Sequence, residues 1–514
     1  MPACREPSLI GPDEFFFLGE RGSVGEHGWD GPEREKLWRY NQHYFDDMNA
    51  ARAADRDAWH IDLLEDWVRQ NPPIVGNGWE PYPTSLRIVN WVKWALVGNL
   101  LPEVCIQSLA VQIRWLSKRL EIHLLGNHLF ANAKALVFAG LFFEGDEADE
   151  WLSTGLRILA REVSEQILRD GGHFERSTMY HALALEDMLD LCNLGAICPE
   201  GLGESGQRQL AGWQHCVPKM IHWLHAMCHP DGEISFFNDA AMGIAPSVAE
   251  LDAYAARLGF DPISDPLSEP SESLNANQKG ARRRVHLRES GYIRIESQHA
   301  VVLLDVAPVG PDYLPGHAHA DTLSFEMSLF GQRVIVNSGT SCYGTNVERL
   351  RQRGTEAHNT VVVDGQDSSE VWGGFRVARR ARPFGLTIGS LETSPLEVRC
   401  GHDGYHRLKG SPVHERLWRL SESELLVEDR VSGAFTTAEA RFHLHPKVQV
   451  TIKGDGSHGE FTLPSSQKIA WWAGFGCARL EPSTYHPRFG VSQVNMCLVL
   501  RLQEDKAQLR LTWL

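Results

Sequence analysis

The sequence has few features of a disulfide-rich, membrane-spanning or nucleic-acid-binding protein. Its ten cysteines are scattered and form no CxxC pair, so buried free thiols are expected rather than a disulfide framework or a cysteine metal site. The longest clear apolar run, 135–143, is too short to span a bilayer. A formal net charge of −16 disfavours binding to polyanions, nucleic acid included, except in a locally basic cleft.

The first twenty residues, MPACREPSLIGPDEFFFLGE, contain acidic residues early and no long apolar segment. They do not have the charged and apolar regions of a secretory leader. We therefore expect a cytoplasmic protein, or a periplasmic one if a leader is missing. The sequence predicts nothing about the oligomeric state.

The hydrophobic pattern changes along the chain. From about 32 to 254, apolar residues recur at helical spacing, as in the segments 85–100, 127–143 and 180–195. Several of these segments are apolar on nearly all sides, which is typical of helices packed against other helices.

The region around 262–284 is rich in serine and proline and then basic, as in a linker. Short β-branched segments follow without helical patterns between them, which indicates an antiparallel sandwich. We predict an N-terminal extension (1–30), a helical domain (31–260), a linker (261–290) and a β-domain (291–514), and so a multidomain α+β fold.

Six motifs in a fixed order then suggest a family. They are WEPYPTSLRIVNW (79–91), GNHLFANAKAL (126–136), FERSTMYH (174–181), GHAHADTLSFE (316–326), VNSGT (336–340) and RGTEAHNTVVVDG (353–365). In this order, over roughly 35–490, the sequence resembles the heparinase II/III-like polysaccharide lyases and the related alginate lyases. The resemblance implies an N-terminal (α/α) toroid of helical hairpins followed by a C-terminal antiparallel β-sandwich. It also implies β-elimination beside a uronic acid in an acidic polysaccharide or oligosaccharide, without an organic cofactor.

A uronate lyase must neutralise the sugar carboxylate, remove the C5 proton and protonate the leaving oxygen. By resemblance, Asn127 faces the carboxylate with His128 beside it, and Tyr180 works with His317 as acid and base. The sequence leaves open which of these two is the base. Without the resemblance, Asn127 would be interpreted as a helix N-cap and Tyr180 as a core residue.

The GHAHAD stretch combines two roles. If it is extended, His317, His319 and Asp321 share one face and the alanines share the other. By resemblance His319 binds zinc together with the histidine of the AHN motif, here His358, and an aspartate from the following strand. This chain has Asn337 at that aspartate position, and a neutral amide is a poorer zinc ligand. Zinc is therefore a possible cofactor, with weaker binding expected.

Further substrate-binding candidates are polar or aromatic residues that suit sugar hydroxyls, carboxylates and ring faces. They are Tyr82, Arg87, Asn90, Glu175, Tyr343, Arg353, His402 and Tyr405. Several of those in the helical domain could equally be core residues, and the basic run of Arg349, Arg351 and Arg353 could equally be a solvated, loop-like segment. The alternative function is a non-catalytic glycan-binding or assembly protein of exopolysaccharide, capsule or O-antigen biosynthesis on the same fold. A zinc hydrolase ranks last, because the sequence has no HExxH motif.

Overall fold

The computed structural model of the protein describes residues 5–260, 283–391 and 395–514. These residues divide into two compact units. Unit 1 comprises 5–171, 182–221 and 243–260, and unit 2 comprises 172–181, 222–242, 283–391 and 395–514.

The N-terminal half of the chain is helical, as predicted. A short hairpin of β1 (Glu14–Phe17) and β2 (Glu20–Ser23) comes first. The helices are α1 (Val24–His27), α2 (Lys36–Tyr44), α3 (Asp57–Gln70), α4 (Pro81–Leu96), α5 (Glu103–Leu116), α6 (Gly126–Phe142), α7 (Asp146–Gln166), α8 (Thr178–Ile197), α9 (Gly203–Ala226) and α10 (Val248–Arg257). The three helical segments singled out in the sequence fall in α4, α6 and α8.

Helices α6 and α7 explain why one helix can be apolar on all sides. Thirteen of the seventeen residues of α6 are buried. Small residues allow close packing, since a Cβ added at Gly140 would lie 2.7 Å from the Leu152 Cβ. At Gly155 an added Cβ would lie 2.8 Å from the carbonyl oxygen of Ala133. The apolar pattern therefore reflects burial within unit 1 and not a membrane helix, and no helix in the described ranges is long and apolar enough to cross a bilayer.

Unit 2 is built on antiparallel sheets. The strands are β3 (Arg283–Leu287), β4 (Tyr292–Glu296), β5 (Ala300–Asp305), β6 (Phe325–Leu329), β7 (Gln332–Ile335), β8 (Val361–Val363), β9 (Val371–Trp372), β10 (Arg376–Val377), β11 (Pro383–Ile388), β12 (Leu396–His402), β13 (Val413–Leu420), β14 (Glu424–Ser432), β15 (Ala438–His443), β16 (Gln449–Lys453), β17 (His458–Thr462), β18 (Lys468–Gly474), β19 (Ala478–Tyr485), β20 (Gln493–Arg501) and β21 (Lys506–Thr512), with helix α11 (Val347–Arg353) between β7 and β8. The main sheets have the orders β11-β12-β13-β14-β21-β18-β17-β16, β3-β4-β5-β6-β7 and β19-β20-β15-β8.

The inward-facing side chains of these strands form one large apolar core. Phe325, Met327, Trp418, Leu425 and Trp471 are all buried in it. This is the pattern expected when sheets cover one another, since successive side chains point to opposite faces. The predicted strands of the β-domain are confirmed, and the nine cysteines within the described residues are free thiols.

The domain boundaries differ in detail from the predicted ones. Most of the predicted linker 261–290 lies outside the described residues, but its segment 283–287 forms strand β3. Segments 172–181 and 222–242 come from the helical part of the sequence and belong to unit 2. The second of them carries a residue that organises the candidate site.

Candidate functional site

The GHAHAD stretch is not a strand. Residues 316–321 form turns and irregular backbone, and β6 begins only at Phe325. The two histidines nevertheless face the same group, the carboxylate of Asp239. Nδ1 of His317 lies 2.9 Å from Oδ2 of Asp239, and Nε2 of His319 lies 2.8 Å from Oδ1. The condition that the stretch is extended is therefore not met, although the two histidine side chains do point the same way.

Backbone contacts hold this stretch beside the loop that carries Asp239. The amide of Asp239 donates to the carbonyl of His317 at 3.0 Å, and the amide of His319 donates to Oδ1 of Asn238 at 3.0 Å. The amide of Asn238 in turn donates to Oδ2 of Asp321 at 3.1 Å. All three polar residues of the motif are thus turned toward residues 238–239, which explains their common orientation without a strand.

Asp239 is a buried, fully paired carboxylate. Both terminal guanidinium nitrogens of Arg349 donate to it, one at 2.7 Å, and the Thr340 hydroxyl donates to Oδ1 at 3.3 Å. Burial by itself raises the pKa of Asp239. The charge of Arg349 and the hydrogen bonds from His317 and His319 outweigh burial, so this pKa lies well below its usual range. Asp239 is therefore an anion at neutral pH and fixes both histidines.

His317 is the member of this cluster that reaches the surface. Its side chain is 14% exposed, whereas those of Asp239 and Arg349 are 0% exposed. Because an anionic carboxylate can only accept, Nδ1 of His317 carries the proton that it donates to Asp239. In the neutral ring this leaves Nε2 with a free lone pair, the form that accepts a proton.

The ring of Tyr180 packs against that of His317 at an interplanar angle of 30°, and its hydroxyl contacts a second tyrosine. The ring centroids of Tyr180 and His317 lie 3.9 Å apart, and the hydroxyls of Tyr180 and Tyr343 lie 2.9 Å apart. Burial raises the pKa of Tyr343 well above 10, so this phenol stays protonated. The structure therefore brings together three of the sequence-predicted residues, a histidine with a free lone pair and two phenol groups.

The start of helix α8 positions Tyr180. Ser177 precedes the helix, and its hydroxyl accepts from the backbone amide of Tyr180 at 3.1 Å, as a helix cap does. The same hydroxyl donates to the backbone carbonyl of Asp239. The helix that carries Tyr180 is thereby tied to the loop that orients His317.

The zinc ligands predicted from the sequence are only partly assembled. Nδ1 of His319 and Nε2 of His358 lie 3.2 Å apart. The side-chain oxygen of Asn337, however, accepts from the backbone amide and the side-chain amide of Asn359, both at 3.2 Å. Within the described residues no group of three or more His, Cys, Asp or Glu side chains could hold a metal ion. Two imidazoles and a neutral amide whose oxygen already accepts two hydrogen bonds fit zinc poorly. Zinc binding remains a prediction.

Asn127 and His128 lie at the start of helix α6 in unit 1. The N-cap residue is Leu125, so Asn127 is not the cap and is the second residue of the helix. Both side chains are half-buried, and Nδ1 of His128 lies 3.0 Å from a carboxylate oxygen of Glu121. The ring of Tyr82 lies 4.5 Å from that of His128, centroid to centroid. These three predicted residues form one cluster.

Two other candidates in unit 1 are interior residues. Arg87 is 0% exposed, and its Nε donates to Gln112 at 2.9 Å. Asn90 is buried as well, and its amide donates to Oδ1 of Asp46 at 2.7 Å. With these polar groups committed to protein partners, the structure does not support direct substrate contact by Arg87 or Asn90.

Four candidates in unit 2 are buried too. His402 and Tyr405 are 0% exposed, and Glu175 is 3% exposed. Arg353 is also fully buried, and its guanidinium donates to the Ala318 carbonyl at 3.0 Å. A glycan cannot reach such side chains, so we interpret Arg353 as a support for the GHAHAD backbone and His402 and Tyr405 as core residues.

Of the two groups that organise the site, the sequence interpretation did not find Asp239, and it expected Arg349 in a solvated run. Asp239 follows the apolar segment ISFF as part of an Asn-Asp pair, a polar signal at the end of a buried segment. Arg349 lies in the basic run with Arg351 and Arg353, a pattern that suggests a solvated loop. The run instead forms helix α11, where residues four apart share a face, so Arg349 and Arg353 are both buried.

Comparison with known proteins identifies the family. The model described as Heparinase II/III N-terminus matches residues 33–255, and the model described as Heparinase II/III-like, C-terminal matches residues 279–514. The chain belongs to the heparinase II/III-like family. The two matched regions agree with the helical and β-sheet parts of the fold.

The similar proteins carry two kinds of name, one for an enzyme activity and one for a cellular location. A heparin-sulfate lyase from Bacteroides thetaiotaomicron is 29% identical over 422 residues, which cover 75% of this chain and 57% of the relative. The FtsZ-localized protein C of Caulobacter vibrioides is 24% identical over 375 residues, covering 69% of this chain and 59% of the relative. The chain thus spans less than two thirds of the length of these relatives.

Solved structures support the fold. A crystal structure titled heparinase III is similar with a TM-score of 0.71 and 18% identity, over 93% of this chain and 76% of that chain. This likeness confirms the predicted fold class, an N-terminal (α/α) toroid of helical hairpins followed by a C-terminal antiparallel β-sandwich.

Proposed function

We propose that the protein is a polysaccharide lyase that cleaves a uronic-acid-containing glycan, of glycosaminoglycan type, by β-elimination. The observation that carries the proposal is the pairing of Tyr180 with a partly exposed His317 whose proton-accepting nitrogen is defined by Asp239. The heparin-sulfate lyase name of a family relative supports this reaction class.

His317 suits the role of base. Its Nε2 takes the proton from C5 of the uronate, and the two electrons of that bond form the C4–C5 double bond. The Asp239 carboxylate then stabilises the imidazolium that forms, as a hydrogen-bonded carboxylate does for a general base. Arg349 keeps Asp239 ionised. Asp239 therefore stabilises the imidazolium of His317 as a carboxylate and need not take a proton itself.

Tyr180 suits the role of acid. As the C4–O bond breaks, its hydroxyl gives a proton to the leaving glycosidic oxygen, so that one proton is taken and one is given. Tyr343 lies 2.9 Å from the Tyr180 hydroxyl and orients it toward the reacting sugar. Regeneration requires only that a proton return from His317 to Tyr180 through solvent.

Asn127 keeps the role that the family resemblance implies, to donate to the uronate carboxylate. A neutral amide donor lowers the charge repulsion that the C5 carbanion would otherwise meet, without competing for the proton. His128 and Tyr82 lie beside it in unit 1 and suit further sugar contacts. The proposal for these residues rests on the resemblance and on their half-exposed cluster.

A second function stays open because of one relative. The FtsZ-localized protein C belongs to the same set of similar proteins, and its name refers to a location and not to an enzyme activity. The alternative is a non-catalytic glycan-binding or assembly protein on the same fold, and the name of this relative does not support the lyase reaction as that of the heparin-sulfate lyases does.

The test is incubation of the protein with a panel of acidic glycans, namely heparan sulfate, chondroitin sulfate, hyaluronan and alginate. Elimination creates a conjugated unsaturated uronate, which absorbs in the ultraviolet. We expect a time-dependent rise in that absorbance with at least one glycosaminoglycan. Tight binding without any rise across the panel would contradict the lyase proposal and support the alternative.

A further inference from the structure

A small hairpin beside His317 carries an exposed aromatic ring and an arginine. Strands β9 and β10 pair Val371 with Val377 and Trp372 with Arg376. The valines point inward, where they pack with Val309 and Ala318. The opposite face presents Trp372, which is 57% exposed, and Arg376, whose guanidinium carbon lies 6.0 Å from the centre of the Trp372 ring.

The hairpin is part of a basic stretch in an acidic protein. Residues 370–382 contain four arginines and one glutamate, a net charge of +3 in a chain of net charge −16. Arg379 pairs with Glu370, and Arg380 and Arg382 share Asp312. For Arg376 no ion pair is found within the described part of the chain. Its charge is thus available to an anionic ligand, and two other arginines of the same stretch share one counterion.

The hairpin turn is fixed to the candidate site. Arg349, which binds Asp239, donates through Nε to the carbonyl of Gly374 at 3.1 Å. Arg353, which binds the Ala318 carbonyl, donates to the carbonyl of Gly373 at 3.2 Å. The two buried arginines thus connect the turn to the residues that hold the GHAHAD stretch.

Phe375 completes the connection. Its ring lies 5.7 Å from that of His317 and 5.2 Å from that of Tyr343, centroid to centroid. The turn that joins Trp372 to Arg376 therefore contacts His317 and Tyr343 directly through Phe375. Hydrogen bonds from Arg349 and Arg353 hold this turn in place.

We propose that Trp372 and Arg376 form a binding subsite for an anionic sugar unit of the glycan, next to the unit that is cleaved. Trp372 offers a flat apolar face to the sugar ring, and Arg376 donates to its carboxylate or sulfate. An arginine beside an aromatic face suits this ligand, because its planar fork binds two oxygens of such an anion. The inference rests on the proposed function for the identity of the glycan, and it assigns a substrate contact that the sequence did not indicate.

The test measures binding separately from catalysis. The protein carries Tyr180→Phe so that the glycan is not consumed, and calorimetry measures the affinity for heparan sulfate oligosaccharides and for unsulfated heparosan oligosaccharides. The combined substitution Trp372→Ala with Arg376→Ala should weaken binding at least about tenfold, which is about 1.4 kcal/mol and close to the contribution of one hydrogen bond to a charged group. A larger loss with the sulfated ligand than with heparosan assigns Arg376 to sulfate, and an equal loss assigns it to the carboxylate.

Matched controls separate a local subsite from a general loss of charge or aromatic surface. Arg399→Ala removes an exposed strand arginine, and Trp472→Ala removes a tryptophan that is 42% exposed, both elsewhere in unit 2. Neither should change the affinity. Equal affinity of the hairpin variant and its parent, or equal losses in the controls, would overturn the subsite. If the protein with Tyr180 intact shows no lyase activity but glycan binding still depends on the hairpin, the subsite is supported and the proposed reaction is refuted.

Discussion

Unit 2 contains two buried chains of four residues with the same composition, one Asp, one Arg and two His. In one, Asp239 accepts from Arg349 and lies 2.8 Å from His319, whose other nitrogen lies 3.2 Å from His358. In the other, Asp429 accepts from Arg416 and lies 2.7 Å from His414, whose other nitrogen lies 3.1 Å from His402. We call these the Asp239 chain and the Asp429 chain.

The two chains differ in one respect that matters for chemistry. The second carboxylate oxygen of Asp239 also binds a further histidine, His317, which is partly exposed and packs against the ring of Tyr180. In both chains the arginine donates to both carboxylate oxygens, but the Asp429 chain ends at His402, which accepts from the Gly404 amide at 3.1 Å.

A buried arrangement of Asp, Arg and His therefore occurs twice in unit 2 and stabilises the structure in both places. It is a candidate site only where the aspartate also binds a partly exposed histidine. Perturbed groups mark functional sites only when substrate can reach them. The comparison explains why His402 and Tyr405, which the sequence offered as glycan contacts, are core residues while His317 and Tyr343 are not.

The largest contrast should come from the two tyrosines that lie beside the histidines. Tyr180→Phe removes the proposed acid and should lower kcat by about 10²–10⁴, the usual contribution of a general acid or base. Tyr405→Phe makes the same change beside His402, where the ring centroids are 5.4 Å apart, and should leave kcat unchanged. Steady-state rates of lyase activity check this pair, and equal rates for both variants would remove Tyr180 from the mechanism.

The two aspartates provide the second contrast. Asp239→Asn and Asp429→Asn each leave a buried arginine without its anion, so each should lower the free energy of unfolding by about 3 kcal/mol or more. Only Asp239→Asn should also lower kcat, because only His317 loses the partner that fixes its proton. Denaturant unfolding and kcat per folded molecule are compared. A loss of kcat in both variants, in proportion to stability, would make Asp239 merely structural.

The acid side of the stability profile gives a third comparison. Burial, then the nearby His414 and Arg416, lower the pKa of His402 well below 6.5. The unfolded state then binds more protons than the folded state, so stability is full above about pH 6.5 and falls as the pH drops. His402→Gln should make this fall shallower by up to about 1.4 kcal/mol per pH unit, whereas His123→Gln at an exposed position should not. Urea unfolding at several pH values measures the slope, and identical slopes would contradict the buried neutral histidine.

The smallest effect concerns the metal. Asn337→Asp introduces the acidic residue that the family resemblance implies as a zinc ligand with His319 and His358, and an aspartate can still accept both hydrogen bonds from Asn359. Zinc should then stabilise the folded variant by about 2.7 kcal/mol at a zinc concentration 100 times the dissociation constant. The measurement is the rise in its thermal midpoint on addition of zinc. The same variant with His358→Gln should lose the effect. A zinc response as strong in the unaltered protein would show that Asn337 does not weaken the site.

Sequence reasoning predicted the fold better than the site for a physical reason. Apolar spacing of 3.6 or 2 residues reports burial directly, so α6 and the strands of unit 2 could be predicted from it. Motif resemblance gave Tyr180 and His317. Asp239 could not be found in this way, because its role arises from contacts with residues 78, 80 and 110 positions away. The same long-range packing buries Arg353 and His402, whose residue types alone suggested a surface.

Elimination at a uronate by Tyr180 and His317 is the central claim about this protein. Mass spectrometry of the products from a defined heparan sulfate oligosaccharide tests this most directly. Elimination predicts that the product masses add up to the substrate mass, with one fragment carrying the unsaturated uronate, and that the Tyr180→Phe protein yields no fragments. Products whose masses exceed the substrate mass by one water would show hydrolysis, and they would contradict the central claim.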